Sequence, residues 1–187
     1  MSEIRPETET AILRAAFAVF SQNAGASLAD VARVAGVGRA TLHRHFAGRA
    51  ELMVALAKEA NREIETAVDA AVADAATYTE GLRLALSAMI PLAERYMFLA
   101  SEPVEQDPEL AALYARDLDS LVEDIDAAKA EGTFDPHIPS IWIAKTYDNL
   151  VYAGWSMVRD QDATPGQAAD FAWRVLTCGA SKEDTQT

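Results

Sequence analysis

Apolar residues recur at spacings of three and four along almost the whole chain, and period-two alternation is nearly absent. That rhythm predicts an all-α protein, because a helix face repeats about every 3.6 residues and a strand face every second one. Ile12, Leu13, Ala16, Phe17 and Phe20 make the inner stripe of a first helix, expected over residues 6–22 and stopped by Asn23-Ala24-Gly25. Ser27-Leu28-Ala29-Asp30 has the spacing of a capping box and opens a second helix with Leu28, Val31, Ala32 and Ala35 inward. Gly36-Val37-Gly38 should break it, with Gly36 in the left-handed conformation, Val37 dropping into the core and Gly38 capping the next helix. This short third helix, about Arg39 to Phe46, buries Leu42 and Phe46 one turn apart.

A long fourth helix comes after Gly48, with Leu52, Leu56, Ala60, Ile64, Val68 and Ala71 on one stripe and no Gly or Pro before about Thr77. Further helices are expected from Glu80 to about Met97, closed by Ser101-Glu102-Pro103, and after the Asp107-Pro108 start signal, lined by Leu110, Tyr114, Leu118, Leu121 and Ile125. The loop Glu131-Gly132-Thr133-Phe134-Asp135-Pro136 precedes helices opening at Pro139 and Pro165. The pattern gives about nine helices: a three-helix head over residues 1–50, a larger body over 51–178, and a frayed polar tail over 179–187.

Charge changes this picture. The net charge of −13 argues against binding phosphate until it is divided by position. Met1 to Lys58 holds seven cations against five acids, a net +2, and the remainder holds nine against twenty-four, a net −15. No acid lies between Asp30 and Glu51, a window with four arginines and two histidines. A basic window on an acidic body suits a nucleic-acid reader with a separate, solvated body. The N-terminus is acidic where a secretory signal is basic, and no run is long and apolar enough to span a bilayer, so a cytoplasmic protein without membrane contact is expected. One cysteine, Cys178, and three scattered histidines predict no disulfide, metal or cofactor.

Two short helices broken by a glycine turn, the second showing small, polar and basic residues outward, describe a helix-turn-helix. With Leu42 and Phe46 as anchors, Arg39, Ala40, Thr41, His43, Arg44 and His45 are left to meet DNA. Arg39 can donate two hydrogen bonds to a guanine edge, Thr41 can touch a base or a thymine methyl, and Ala40 allows close backbone approach. His43, Arg44 and His45 have the reach for phosphates, as does Arg49 at the next helix start.

The segment from Ala11 to Leu56 resembles the DNA-binding domain of the TetR family of regulators. The likeness is carried above all by Ser27-Leu28-Ala29-Asp30-Val31-Ala32 and by Ala35-Gly36-Val37-Gly38-Arg39-Ala40-Thr41-Leu42-His43-Arg44-His45-Phe46. The loop from Glu131 to Pro136 is similar to a common feature of that family's body. The resemblance implies a homodimer on a palindromic operator of double-stranded DNA, a repressor released when a small molecule enters the body. It also implies that Ser27, His45 and Arg49 hold phosphates. His43 stands where the family usually has tyrosine, Gly38 where serine or threonine is commoner, and Arg49 where lysine is usual.

Most large aromatic residues fall in the body, with Met89, Met97 and Met157 as adaptable apolar neighbours. Met89, Tyr96, Tyr114, Trp142 and Tyr147 are the candidate lining for a small apolar or aromatic effector, although each also suits plain core packing. Ile141, Leu150, Val151, Val158, Ala168, Ala172, Val175 and Leu176 exceed what one helix face needs, so the last two helices are the expected homodimer surface. A helical enzyme and a helical interaction module without DNA binding are the rival readings. The enzyme lacks ligand spacings, an activated nucleophile and a phosphate loop; the module differs from a reader in having no salt-dependent affinity for duplex DNA.

Overall fold

The computed structural model describes residues 6–96 and 106–179. Eight helices and no strand lie among the described residues, one helix fewer than the nine or so expected. They are α1 (Pro6–Gln22), α2 (Leu28–Val34), α3 (Arg39–His45), α4 (Arg49–Val72), α5 (Tyr78–Tyr96), α6 (Pro108–Ala130), α7 (Ser140–Arg159) and α8 (Pro165–Gly179). The expected closure at Ser101-Glu102-Pro103 and the tail beyond Gly179 fall outside the described residues.

The start and stop signals place most helix ends. Ser27 caps α2 as expected: its hydroxyl accepts from the Asp30 amide, and the Asp30 carboxylate accepts from the Ser27 amide at 3.1 Å. Helix α4 ends at Val72, short of the expected Thr77, because Thr77 already begins the next helix. Its Oγ1 accepts from the Glu80 amide at 3.1 Å, and Glu80 accepts from the Ala76 amide at 3.0 Å. The Glu131 carboxylate completes this cap from a distance, accepting from the amides of Tyr78 at 2.8 Å and Thr79 at 2.9 Å. Hydrogen bonds from Thr79 above all, and from the Tyr78 amide, hold the Glu131 carboxyl below its ordinary range.

Three helices end alike. After α2, α6 and α7 a residue with positive φ turns the chain: Gly36 at 68°, Gly132 at 91° and Gln161 at 64°. In each case the next amide reaches back to close the final turn, Val37 to Ala32, Thr133 to Ala128 and Asp162 to Met157. Val37 itself is only half-buried after this turn, less deep than expected. Gln161 does with a side chain what glycine does without strain.

Two compact units divide the chain, Met1–Arg62 with Arg95–Ala111, and Glu63–Glu94 with Ala112–Thr187. The division between these units falls inside α4. Leu52, Met53, Leu56, Ala57 and Ala60, all buried, give the first turns of α4 to the first unit. Farther along the same stripe Ile64, Val68 and Ala71 are half-buried. The first unit also buries Ile12, Ala16, Phe17, Phe20, Val31, Ala32, Leu42 and Phe46. In the second unit α7 and α8 pack together, and Gly154 lets α7 approach α5 so closely that an added Cβ would sit 2.7 Å from Ile90 Cδ1. Among the described residues no helix is long and apolar enough to cross a membrane.

The left-handed turns set a stability test. Gly36→Ala should lower stability by about 1–2 kcal/mol, and Gln161→Gly should raise it by up to about 1 kcal/mol, in urea titrations. Equal midpoints for both variants and the parent would refute the strain argument.

Candidate nucleic-acid interface

Helix α3 has only seven residues, and two anchors hold it. Leu42 and the Phe46 that comes after its last turn are buried, which fixes the opposite side of the rod toward solvent. Gly38 gives this helix no side-chain cap, as expected of a residue without a side chain. Arg39, Ala40, His43 and Arg44 are exposed, so four expected contact residues form one continuous outward surface. Thr41 is half-buried beside them, and its Oγ1 accepts from the Arg44 guanidinium at 3.0 Å. That bond steadies a long side chain that would otherwise lose more rotamer freedom on binding. Helix α3 has no acid in its first turn and three basic side chains in its last.

The other three expected DNA ligands are engaged within the chain. Ser27 donates its hydroxyl proton to Asp30 Oδ2 at 2.7 Å, so that proton is spent next to a carboxylate. The bonds from Ser27 hold the Asp30 carboxyl below its ordinary range, so it stays ionised. The His45 side chain is 6% exposed; its ring lies beside Phe46, and Nδ1 sits 4.0 Å from Glu9 Oε2. Its position three residues after Leu42 turns it toward the buried side of the rod. Arg49 donates to the carbonyls of Ala26 at 3.0 Å and Ala24 at 2.6 Å, with its Cζ 4.5 Å from the centre of the Phe20 ring.

The arrangement is a small anchored rod with a basic, largely acid-free outward face. A model of bacterial regulatory proteins of the tetR family matches residues 12–56, which contain this whole rod and its anchors. The HTH-type transcriptional repressor LfrR of Mycolicibacterium smegmatis is 32% identical over 179 residues, covering 95% of this chain and 93% of its own. The chain belongs to the tetR family of bacterial transcriptional regulators. That membership makes it a DNA-binding regulator, the relative of a repressor, and sets the helical-enzyme reading aside.

Solved structures agree over nearly the full length. The crystal structure of the TetR-like regulator LfrR from Mycobacterium smegmatis in complex with proflavine superposes with a TM-score of 0.77 at 29% identity, covering 94% of this chain and 97% of that one. A putative TetR-family regulator from Rhodococcus sp. shares the fold at a TM-score of 0.77 and 22% identity, with 91% and 97% covered.

The candidate effector residues of this tetR-family chain are placed less uniformly. Tyr147 is 2% exposed and donates its hydroxyl to the Leu82 carbonyl at 2.8 Å, a satisfied core residue. Met89 is half-buried on α5, Tyr114 lies at the border of exposure on α6, and Trp142 is 67% exposed in the first turn of α7. The side chain of Tyr96 falls outside the described residues. Two acids beside Tyr147 were not anticipated. Asp148 and Asp124 keep solvent access, yet surrounding protein desolvates them enough to push both carboxyls up. Together with burial, which is the larger cause, their charges push the Tyr147 hydroxyl far up as well. One signal was available: Asp148 is the sole acid in α7, a helix otherwise rich in apolar residues.

The outward face makes a quantitative prediction. Arg39→Ala and Arg44→Ala should each flatten the salt dependence of binding to random duplex DNA by about 0.9 for every phosphate left without its cation. Ser27→Ala should leave that slope unchanged while lowering thermal stability by about 1 kcal/mol through removal of the cap. Fluorescence anisotropy at several salt concentrations reads the first effect, and a melting curve reads the second.

Proposed function

We propose that this regulator acts in the cytoplasm as a homodimeric repressor, binding a palindromic operator through α3 and releasing it on binding a cationic aromatic molecule. The observation that carries the DNA reading is the exposed set Arg39, Ala40, His43 and Arg44 over buried Leu42 and Phe46. Arg39 near the start of α3 is suited to a guanine edge, and Arg44 to the flanking phosphates. Two such rods in a symmetric dimer would read half-sites about 34–36 Å apart.

Support for dimerisation comes from α7 and α8. Of the apolar residues expected at the interface, Val151, Ala168, Ala172 and Leu176 are buried within the chain, where they pack the two helices on their own unit. Ile141 and Val175 remain exposed, and Tyr152, Met157 and Phe171 join them; Phe171 and Val175 lie one turn apart on α8. Apolar surface of this extent on neighbouring helices favours a second copy, giving a four-helix interface related by a two-fold axis.

The effector class rests on two supports. The similar regulator LfrR has been crystallised with proflavine, a planar cationic dye. In this chain Asp148 and Asp124 are exposed yet partly desolvated and near enough for their charges to act on the Tyr147 hydroxyl, and a bound cation would relieve the cost of their ionisation. Met89, Tyr114 and Trp142 remain candidate apolar neighbours of the bound molecule.

A gel shift with DNA flanking the coding region tests the repressor reading directly. The double variant Phe171→Glu and Val175→Glu should run as a monomer in sedimentation and lose operator binding at concentrations where the parent is saturated. A dimeric variant with full affinity would place the interface elsewhere. For the effector, the sign comes from the raised carboxyls: Asp148 attracts a cation while ionised and loses that attraction as pH falls through its elevated pKa. Proflavine affinity should therefore drop on going from about pH 8 to about pH 5, and Asp148→Asn should flatten the drop. The same pH profile in both proteins would exclude Asp148 from the site.

A further inference from the structure

We propose that Arg49 is a positioning residue, a clamp between the start of α4 and the segment leading into α2, rather than a phosphate ligand. The geometry is specific to a guanidinium. The planar group lies over the buried Phe20 ring of α1, its Cζ 4.5 Å from the ring centre. From that seat Nη1 reaches the Ala26 carbonyl at 3.0 Å and Nη2 the Ala24 carbonyl at 2.6 Å. A lysine ammonium is a point charge on a flexible stem and cannot stack on a ring while holding two carbonyls in a fork.

The carbonyls it holds belong to the tight turn after α1. The Gly25 amide donates to Asn23 Oδ1 at 3.0 Å and the Ala26 amide to the Asn23 carbonyl at 2.9 Å. The next residue is Ser27, the N-cap of α2. Arg49 is itself the first residue of α4, which continues unbroken to Val72. One side chain thus ties three things: the end of α1, the backbone just ahead of the helix-turn-helix, and the helix that leaves it. A shift or rotation of α4 at its first turn would pull directly on Ala24 and Ala26, and through them on the start of α2. Two of its nitrogens are committed to these carbonyls and its plane to Phe20, so the guanidinium is oriented into the turn rather than along the surface that Arg39 and Arg44 present.

The proposal rests on the reading of this chain as an effector-released DNA binder, and the test separates the two. Arg49→Lys keeps the charge and removes the fork; Arg49→Gln removes both. Phe20→Leu, a milder change, removes the ring seat and leaves both carbonyls in place. Three quantities are measured on the full-length protein: hydrogen exchange at the amides of residues 24–30, the salt slope on random duplex, and the fold-reduction in operator affinity caused by proflavine. A clamp predicts that Arg49→Lys speeds exchange at residues 24–30 by about tenfold, with Phe20→Leu intermediate. It also predicts a parental salt slope and a proflavine effect about threefold to tenfold smaller than in the parent. Parental exchange and a parental proflavine effect in Arg49→Lys, with a slope reduced by about 0.9 in Arg49→Gln, would overturn the clamp in favour of a phosphate ligand. Absence of operator binding or of any proflavine response would sink the functional reading alone, since exchange at residues 24–30 still decides the clamp.

Discussion

The burial of Leu42 and Phe46 is the constraint on which the reading head depends. Seven residues are too few to hold a helix in water, where nucleation costs more than two turns return. Gly38 adds no side-chain cap, and the last turn is crowded with His43, Arg44 and His45. The rod exists because two apolar side chains lock one side of it into the first unit's buried set, which includes Phe17, Phe20 and Val31. The same two anchors decide which residues face out. A helix pinned by Leu42 within it and by Phe46 just past its end has little rotational freedom, so the outward identity of Arg39, Ala40 and Arg44 is a result of packing.

Electrostatics then divides the labour between the parts of the chain. The basic window from Arg33 to Arg49 sits in a protein with a large acidic excess, and most of that excess lies beyond Lys58. The acid excess beyond Lys58 repels phosphate from that part of the chain, while the stretch between Asp30 and Glu51 carries no acid. Within the first unit the acids are used locally. Asp30 closes a cap with Ser27, Glu51 accepts from the Ala47 amide at 2.6 Å, and Glu9 faces the His45 ring. Neither the two hydrogen bonds nor the 4.0 Å approach of Glu9 to His45 engages the outward side chains of α3.

Elements marked by strong local chemistry were legible from residues alone. The Ser27 to Asp30 box, the Gly36 turn, the prolines at positions 108 and 165 and the stripe of α1 all appear where the pattern placed them. The end of α4 was missed because Thr77 and Glu80 form a cap across a segment whose apolar spacing runs on without interruption. Among the residues expected to meet DNA, the exposed ones are set by the period of a short helix. The inward turn of His45 follows from that same period, three residues after Leu42, whereas the commitment of Arg49 depends on the carbonyls of Ala24 and Ala26, distant partners that no local spacing reveals.

The fork made by Arg49 also bears on how this protein tolerates change. Its two acceptors are main-chain oxygens, which every amino acid supplies. Positions 24 and 26 are therefore at liberty to drift through almost any residue compatible with a tight bend, and the guanidinium would not register the difference. Positions 20 and 49 have less liberty, since the buried ring packs the core of the first unit and also seats the planar cation.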